Sequence, residues 1–276
     1  MDQSICVRVD RGSNIDVVSR DLEAQGAITS GAIFRLGADY ADKTQSLKAG
    51  SFLVDPNASM AEIVDAITRG GASTCGTEIV YRVGVAKLNV LVRELDPATN
   101  RFIERAEFDP LEEAVPEIYT ETKSDNDTRY RIALAEGVTS WQVAESLKAM
   151  DVLEGDIAEV PAEGMLAPDS YEVVKGTLRE DVLAQMQAVQ AARIDEVWQN
   201  RSDDLPIESP EEMLILASII EKETGVAEER RQVASVFVNR LNQGMRLQTD
   251  PTVIYGVTNG KGILGRGLRQ SELRGD

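Results

Sequence analysis

Acid–base side chains converge on one short run of this chain, ASIIEKET (217–224), where apolar Ala217, Ile219 and Ile220 give way at once to Glu221, Lys222 and Glu223. The run ends ESPEEMLILASIIEKET, which opens with helix-start signals: Ser209 as a cap, Pro210 at the first helical position and Glu212 three residues after the cap. On such a helix Leu214, Ala217 and Ser218 stack on the flank that leads to Glu221. Glu221 is therefore expected to project from the end of an apolar stripe, with Lys222 and Glu223 rotated away by roughly 100° and 200°. Desolvation disfavours an ionised carboxylate, and a glutamic acid kept protonated can donate to a glycosidic oxygen. A helix that simply ends in a solvated glutamate is the plainer alternative, and periodicity leaves both open.

Further polar groups follow on tight connections. VAEERRQVASVFVNRLNQGM reads as a second amphipathic helix packing through Val233, Val236, Phe237 and Leu241 and stopped by Gly244. In RLQTDPTVIYG the pair Asp250-Pro251 starts a turn or short helix. Arg240, Gln248, Asp250 and Tyr255 are thus candidate site residues, each with a local alternative: Asp250 as a cap, Arg240 in a surface ion pair, Tyr255 as a packed ring.

Composition narrows the chemistry. The 276 residues suggest about two domains with a real core. Hydrophobic content of 42% and charged content of 28% are ordinary globular values. Forty-seven acids against 29 bases give a net charge of −18, which argues against nucleic acid as a partner and against binding anionic lipid through a basic patch. Histidine is absent, so Ser-His-Asp and Cys-His nucleophilic systems and His-based zinc sites are excluded. No metal site or cofactor is expected. Cys6 and Cys75 either pair in an oxidising compartment or stay buried as small apolar residues. No apolar run reaches the roughly 18 to 20 residues that span a bilayer, and MDQSICVRVD lacks the apolar stretch of a signal peptide. The expectation is a cytoplasmic protein, or one whose targeting segment lies outside this chain. LGRGLRQSELRGD reads as a loop cut open.

The elements that must position Glu221 show a weak repeat. VDRGSNIDVVSRDL (9–22), VDPNASMAEIVDAI (54–67) and LAEGVTSWQVAESL (134–147) each read as a short strand, a turn and an amphipathic helix. Val18, Ile63 and Val143 align, as do Leu22, Ile67 and Leu147. Such units occur by chance, or are small βα modules like those of LysM-like sugar-binding domains. Residues 77–131 alternate and are β-branched through TEIVYRVGVAKLNVLVREL and RFIERAEF, which predicts a hairpin or small sheet ended by the polar run TKSDNDTR. PAEGMLAPDSYEVV reads as a loop. DVLAQMQAVQAARIDEVWQNR (181–201) predicts a long helix packing through Val182, Met186, Val189, Ile194 and Trp198. GKGILG (260–265) literally fits a dinucleotide fingerprint, but no strand precedes it and the chain leaves no room for a βαβ unit.

The run LASIIEKETGVAEERRQVASVFVNRLNQGMRLQTDPTVIYG (216–256) closely resembles the endolytic murein transglycosylases, the YceG-like family. AEGVTSWQVAESL, EGMLAPDSYEV (163–173) and the LysM-like GSFLVDPNASMAEIVDAITRG extend the resemblance over most of the chain. The expected fold is α+β: an N-terminal LysM-like region (1–76), a mainly helical catalytic domain (132–276) and between them a β-rich insertion (77–131) that is longer than the family pattern. The resemblance implies cleavage of β-1,4 links between N-acetylmuramic acid and N-acetylglucosamine with 1,6-anhydro ends, Glu221 matching the catalytic glutamate. By the same resemblance Arg240, Gln248, Asp250 and Tyr255 line the glycan groove or brace Glu221. Peptidoglycan strands and peptidoglycan synthases are the implied partners. The implied location is the inner membrane, with an N-terminal anchor absent here and the catalytic part in the periplasm. The family pattern continues through a segment resembling YNTY…GLPP that is missing here. If that portion completes the cleft, this chain is inactive even with Glu221 in place. The competing expectation is a non-catalytic glycan-binding or scaffold module with Glu221 idle.

Overall fold

The computed structural model describes residues 2–70, 73–261 and 264–274. In chain order the elements are β1 (Ile5–Val9), α1 (Ile15–Ala24), α2 (Gly31–Tyr40), β2 (Gly50–Val54), α3 (Met60–Thr68), β3 (Thr77–Val83), β4 (Leu88–Asp96), β5 (Arg101–Phe108), α4 (Glu117–Ser124), β6 (Arg129–Leu134), α5 (Ser140–Ala149), β7 (Ser170–Val173), α6 (Arg179–Gln199), α7 (Pro210–Glu223), α8 (Arg230–Asn242), α9 (Asp250–Thr258) and α10 (Gln270–Arg274). The fold is α+β. A two-stranded antiparallel sheet pairs β1 with β2, Val7 opposite Phe52, and a five-stranded sheet has the order β5-β4-β3-β6-β7. Residues Met1–Val80, Val90–Phe108 and Glu113–Arg131 form one compact unit, and Tyr81–Asn89, Asp109–Glu112 and Ile132–Asp276 form a second. Of the GKGILG segment, Gly262 and Ile263 lie outside the described residues.

In the first unit the repeated pattern is strand, turn and helix as expected. Asn14 caps α1 through Val17 N–H, and Ser59 with Glu62 forms a reciprocal capping box on α3. The aligned residues face inward: Val18, Leu22, Ile63 and Ile67 are at most 1% exposed and pack with Val7, Phe52 and Phe34 in one core. Phe34 comes from α2, a helix the sequence pattern left unread. Cys6 and Cys75 form a disulfide across 69 residues, with a Cα–Cα distance of 6.0 Å. On β3, Glu78 is 1% exposed and held by arginines: Arg93 Nε donates to it at 2.6 Å, Arg131 Nε lies 3.2 Å away and Arg129 Nη2 4.0 Å away. Arg93 also lies over the Phe102 ring at 4.2 Å. A carboxylate this deep requires such pairing, because an isolated buried charge is very costly. Strand β5 pairs antiparallel with β4, with a register shift at Val92/Arg93. Part of the polar run TKSDNDTR is helical, closing α4, where Thr122 and Tyr119 are buried.

The second unit carries the third copy, whose α5 begins with a Thr139–Gln142 capping box and buries Val143 and Leu147. The EGMLAPDSYEV segment is more ordered than a loop, since its end is β7. Tyr171 Oη donates to Ala167 O at 2.7 Å, and Arg193 Nη1 on α6 donates to Pro168 O at 2.9 Å. Helix α6 buries Val182, Leu183 and Met186, whereas Val189, Ile194 and Trp198 are only half-buried. Among the described residues no helix is long and apolar enough to cross a membrane.

Candidate functional site

Helix α7 starts as its sequence dictates, with Pro210 in the first turn and Ser209 Oγ accepting Glu212 N–H at 3.2 Å. The reciprocal half of the box shifts by one residue: Glu212 Oε2 accepts Glu208 N–H at 2.7 Å. The helix buries Leu216 and Ile219 against Phe237 of α8, with Val233 and Leu241 partly buried beside them. Ala217 and Ser218 are exposed and Leu214 is half-buried. This corrects the expected apolar wall on the flank leading to Glu221. Residues 213–217 and 219–220 are apolar around most of the helix, so spacing alone does not choose the buried side.

Glu221 stands in the last turn of α7, its side chain 33% exposed, with Oε2 3.3 Å from Arg230 Nη2 at the start of α8. Its neighbour fixes the helix end. Lys222 Nζ donates to Gly137 O in the turn between β6 and α5. Gly137 has φ +74°, and a Cβ there would meet Lys222 Nζ at 3.0 Å, so the turn that receives the lysine calls for glycine. A link between α7 and the third strand-turn-helix unit is thus set one residue from Glu221.

The other predicted residues divide between two places. Arg240 and Gln248 line one cavity of about 280 Å³ together with Glu223, Val233, Val236, Phe237 and Thr249. Arg240 Nη1 donates to Leu247 O and its guanidinium lies 5.9 Å from the Phe237 ring centre, so it holds the loop before α9. Gln248 takes a left-handed backbone, φ +50°. Tyr255 on α9 instead stands near Glu163, both lining Gly260, and burial first, then the Glu163 charge, raises its phenol above the ordinary value. Asp250 opens α9 as its exposed first residue, beside Pro251.

Glu163 was not singled out by sequence reasoning, although it opens the EG segment. Its Oε1 accepts Ser140 N–H at 3.0 Å, bringing a carboxylate to the N-terminus of α5 where the helix dipole favours it. Thr139 Oγ1 donates to Gly260 O at 2.6 Å in the same cluster. Gly164, at φ +78°, leaves room for Leu214 of α7, whose Cδ2 would stand 2.8 Å from an added Cβ. The EG pair therefore ties α5, α9 and α7. Arg230 and Thr249 were also not singled out, and Glu223 was read only as rotated away from Glu221. The only signal for Thr249 is its place just before the Asp-Pro helix start.

Comparison with known proteins follows this geometry. The model of the YceG-like family matches residues 110–275. The "Endolytic murein transglycosylase" of Streptococcus pneumoniae serotype 2 (strain D39 / NCTC 7466) is 26% identical over 269 residues, covering 97% of this chain and 45% of that protein. The protein of the same name in Bacillus subtilis (strain 168) is 38% identical over 96 residues, 34% of this chain and 26% of the relative. The chain thus spans less than half the length of the curated relatives it matches. A 2.6 Å crystal structure of a yceG-like protein from Listeria monocytogenes aligns with 98% of this chain and 79% of its own, at 25% identity and a TM-score of 0.35.

Proposed function

The chain belongs to the YceG-like family, and from that premise we propose that it acts in endolytic cleavage of peptidoglycan glycan strands, with Glu221 as the acid and then the base. The observation that carries this reading is the placement of Glu221. It is a partly exposed carboxylate at a helix end pinned by the Lys222–Gly137 bond, with Arg230 as its ion-pair partner. The relatives' name, endolytic murein transglycosylase, supports the substrate class.

In the proposed reaction the Glu221 carboxyl gives its proton to the oxygen linking N-acetylmuramic acid to N-acetylglucosamine, and the bond from that oxygen to the muramyl C1 breaks. The resulting carboxylate takes the proton of the muramyl 6-hydroxyl as that oxygen bonds to C1. The 1,6-anhydro ring closes, Glu221 regains its proton and no water is consumed. One carboxyl serves both steps, whereas an ordinary glycosidase uses two facing ones. Acid–base help of this kind is worth roughly 10²–10⁴-fold. Positioning supplies the remainder. The exposed Arg230 pair, in a class worth about 0–1 kcal/mol, yields readily to a substrate.

In this reading residues 132–276 carry the chemistry, 1–76 are a LysM-like region and 77–131 a β-rich insertion. Asp250 and Tyr255 contribute to the glycan groove. The Cys6–Cys75 disulfide favours work outside the reducing cytoplasm, consistent with a membrane-anchored protein facing the wall and neighbouring peptidoglycan synthases. The test is digestion of uncrosslinked glycan strands with mass spectrometry of the ends, for this chain together with any residues that follow it in its gene. Anhydro ends that vanish in Glu221→Gln support the reading. Binding without any cleavage sinks it and leaves a glycan-binding module.

A further inference from the structure

A cavity of about 590 Å³ lies at the β3–β4 turn, within the second unit, and glycan cleavage as described above makes no use of it. It is lined by residues 82–87 and 89 and by residues 133–135 at the end of β6. Its volume falls inside the range of small-ligand sites, ~300–1,000 Å³. The hollow exists because the side chains around it are short: Gly84, Ala86, Ala133 and Ala135 leave space that larger residues would fill. The turn is also held in place. Gly84 N–H donates to Lys87 O at 3.1 Å, Ala135 N–H to Val83 O at 3.0 Å, and Gln142 Nε2 on α5 to Val85 O at 2.8 Å. Gln142 Oε1 also accepts Thr139 N–H in the α5 capping box, so the turn and the start of that helix share one side chain.

The chemistry of the lining selects a ligand. Acids make up 47 of the 276 residues, yet none lines this cavity, and its two charged side chains are Arg82 and Lys87. Both are exposed, and neither has an ion-pair partner among the described residues. In a chain of net charge −18 this wall is locally positive, which draws anions to it. A cation finds no oxygen-bearing acid there. An uncharged apolar molecule leaves both cations without a use, and a bare inorganic anion leaves the alanine and valine surface in water. A short peptide with a free carboxyl end and small side chains matches both parts of the wall. Its carboxylate meets Arg82 and Lys87 in charge-assisted bonds, and its methyl groups meet Ala133, Ala135 and Val85.

The cavity is also close to the end of α7. Ala135 stands two residues before Gly137, whose carbonyl accepts the ammonium of Lys222, the neighbour of Glu221. The cavity edge and the Glu221 helix end are thus separated by two residues and one lysine side chain. A peptide of four or five residues, about 13–18 Å long when extended, bridges such a gap. We propose that this cavity binds the carboxyl end of peptide branches carried by the glycan strands, with Arg82 and Lys87 holding the carboxylate. The proposal rests on the glycan-strand reading for the source of the peptide, and it gives the β3–β4 turn a part in recognising the substrate.

The experiment titrates N-acetyl-dialanine, in its L,L and D,D forms, into the chain and follows amide NMR. Its C-terminal amide and inorganic phosphate are titrated beside it. The titrations are repeated with Arg82→Gln and Lys87→Gln together, and with Ala135→Phe, which fills the hollow and keeps both charges. The expected result is saturable binding of at least one dipeptide, with shifts at Gly84, Val85 and Ala133. Binding is roughly tenfold weaker for the amide and in the double variant, and Ala135→Phe abolishes saturation while signals far from the cavity hold their positions. If Ala135→Phe does not fold, the amide and the double variant decide. Absence of saturable binding by either dipeptide, equal affinity for the amide, equal affinity in the double variant, or phosphate binding as tightly as the dipeptide overturns the proposal. Cleavage of glycan strands is scored separately, in the unmutated chain against Glu221→Gln. Glu221-dependent anhydro ends without dipeptide binding remove the peptide site and keep the cleavage reading. Saturable binding at the cavity without cleavage keeps the site and removes that reading.

Discussion

The first unit and the α7–α9 segment treat their carboxylates in different ways. In the first unit Glu78 is 1% exposed yet faces Arg93, Arg129 and Arg131, and the two cysteines are joined. The core around Leu22, Ile63 and Phe34 is closed. Along α7–α9 the buried apolar side chains among the described residues are Leu216, Ile219 and Phe237. Glu221 has one partner at 3.3 Å, Glu223 and Gln248 are exposed, and among the described residues the buried Thr249 hydroxyl has none. A fold gains stability by satisfying its polar groups and gains binding capacity by leaving some for a ligand. In the proposed reading the first region serves stability, and the partly exposed Glu221 at the end of α7 serves the chemistry.

The largest expected effect is in the paired region. Glu78→Ala strands three guanidiniums on one sheet face and should lower unfolding free energy by about 3–5 kcal/mol in urea titration; a loss below 1 kcal/mol would erase the contrast. Replacing Cys6 and Cys75 together by alanine should cost about 2–4 kcal/mol, since the bridge closes a long loop. The same melts compared with and without reductant check this on the unmutated chain. Gly164→Ala sets a strained φ and a Cβ against Leu214, and about 1–3 kcal/mol should be lost in thermal melts. A neutral result would mean that Leu214 gives way and the EG corner does not fix α7. Arg230→Ala should change stability by less than about 1 kcal/mol, the pair being exposed. A larger loss would place α7 and α8 with the tightly held part of the molecule. The smallest effect is in acid. The Asp125 carboxyl is raised by burial but lowered further by the Asp127 N–H and by Arg8, so its net shift is downward. Its contribution is present above the ordinary carboxylate range of about 4 and is lost as pH falls through the depressed value. Asp125→Asn should flatten the acid limb slightly.

Much of the scaffold was legible because burial imposes a period. Val18, Ile63 and Val143, with Leu22, Ile67 and Leu147, align in sequence and all lie inside. The start of α7 was legible from Ser209 and Pro210, whose chemistry is local. What failed was long-range. The buried side of α7 is set by where α8 packs, and a helix apolar almost all round does not record it. The end of α6 illustrates the same limit, since Ile194 and Trp198 have helical spacing but are only half-buried. β7 was hidden behind Gly164 and Pro168, which read as loop. Pairing of Cys6 with Cys75 was open because a 69-residue separation carries no distance. At the candidate site, Glu221, Arg240, Gln248, Asp250 and Tyr255 were picked out from local pattern and then by resemblance, while Glu163 and Thr249 stand out through partners made or missing, visible only in three dimensions.

The measurement that tests the central claim most directly is cleavage of glycan strands in heavy-oxygen water, with the new ends weighed by mass spectrometry. Glu221 working alone as acid and then base predicts anhydro ends free of label, and their loss in Glu221→Gln. Labelled reducing ends would contradict it, because water would then be the acceptor and a second carboxylate would have to activate it.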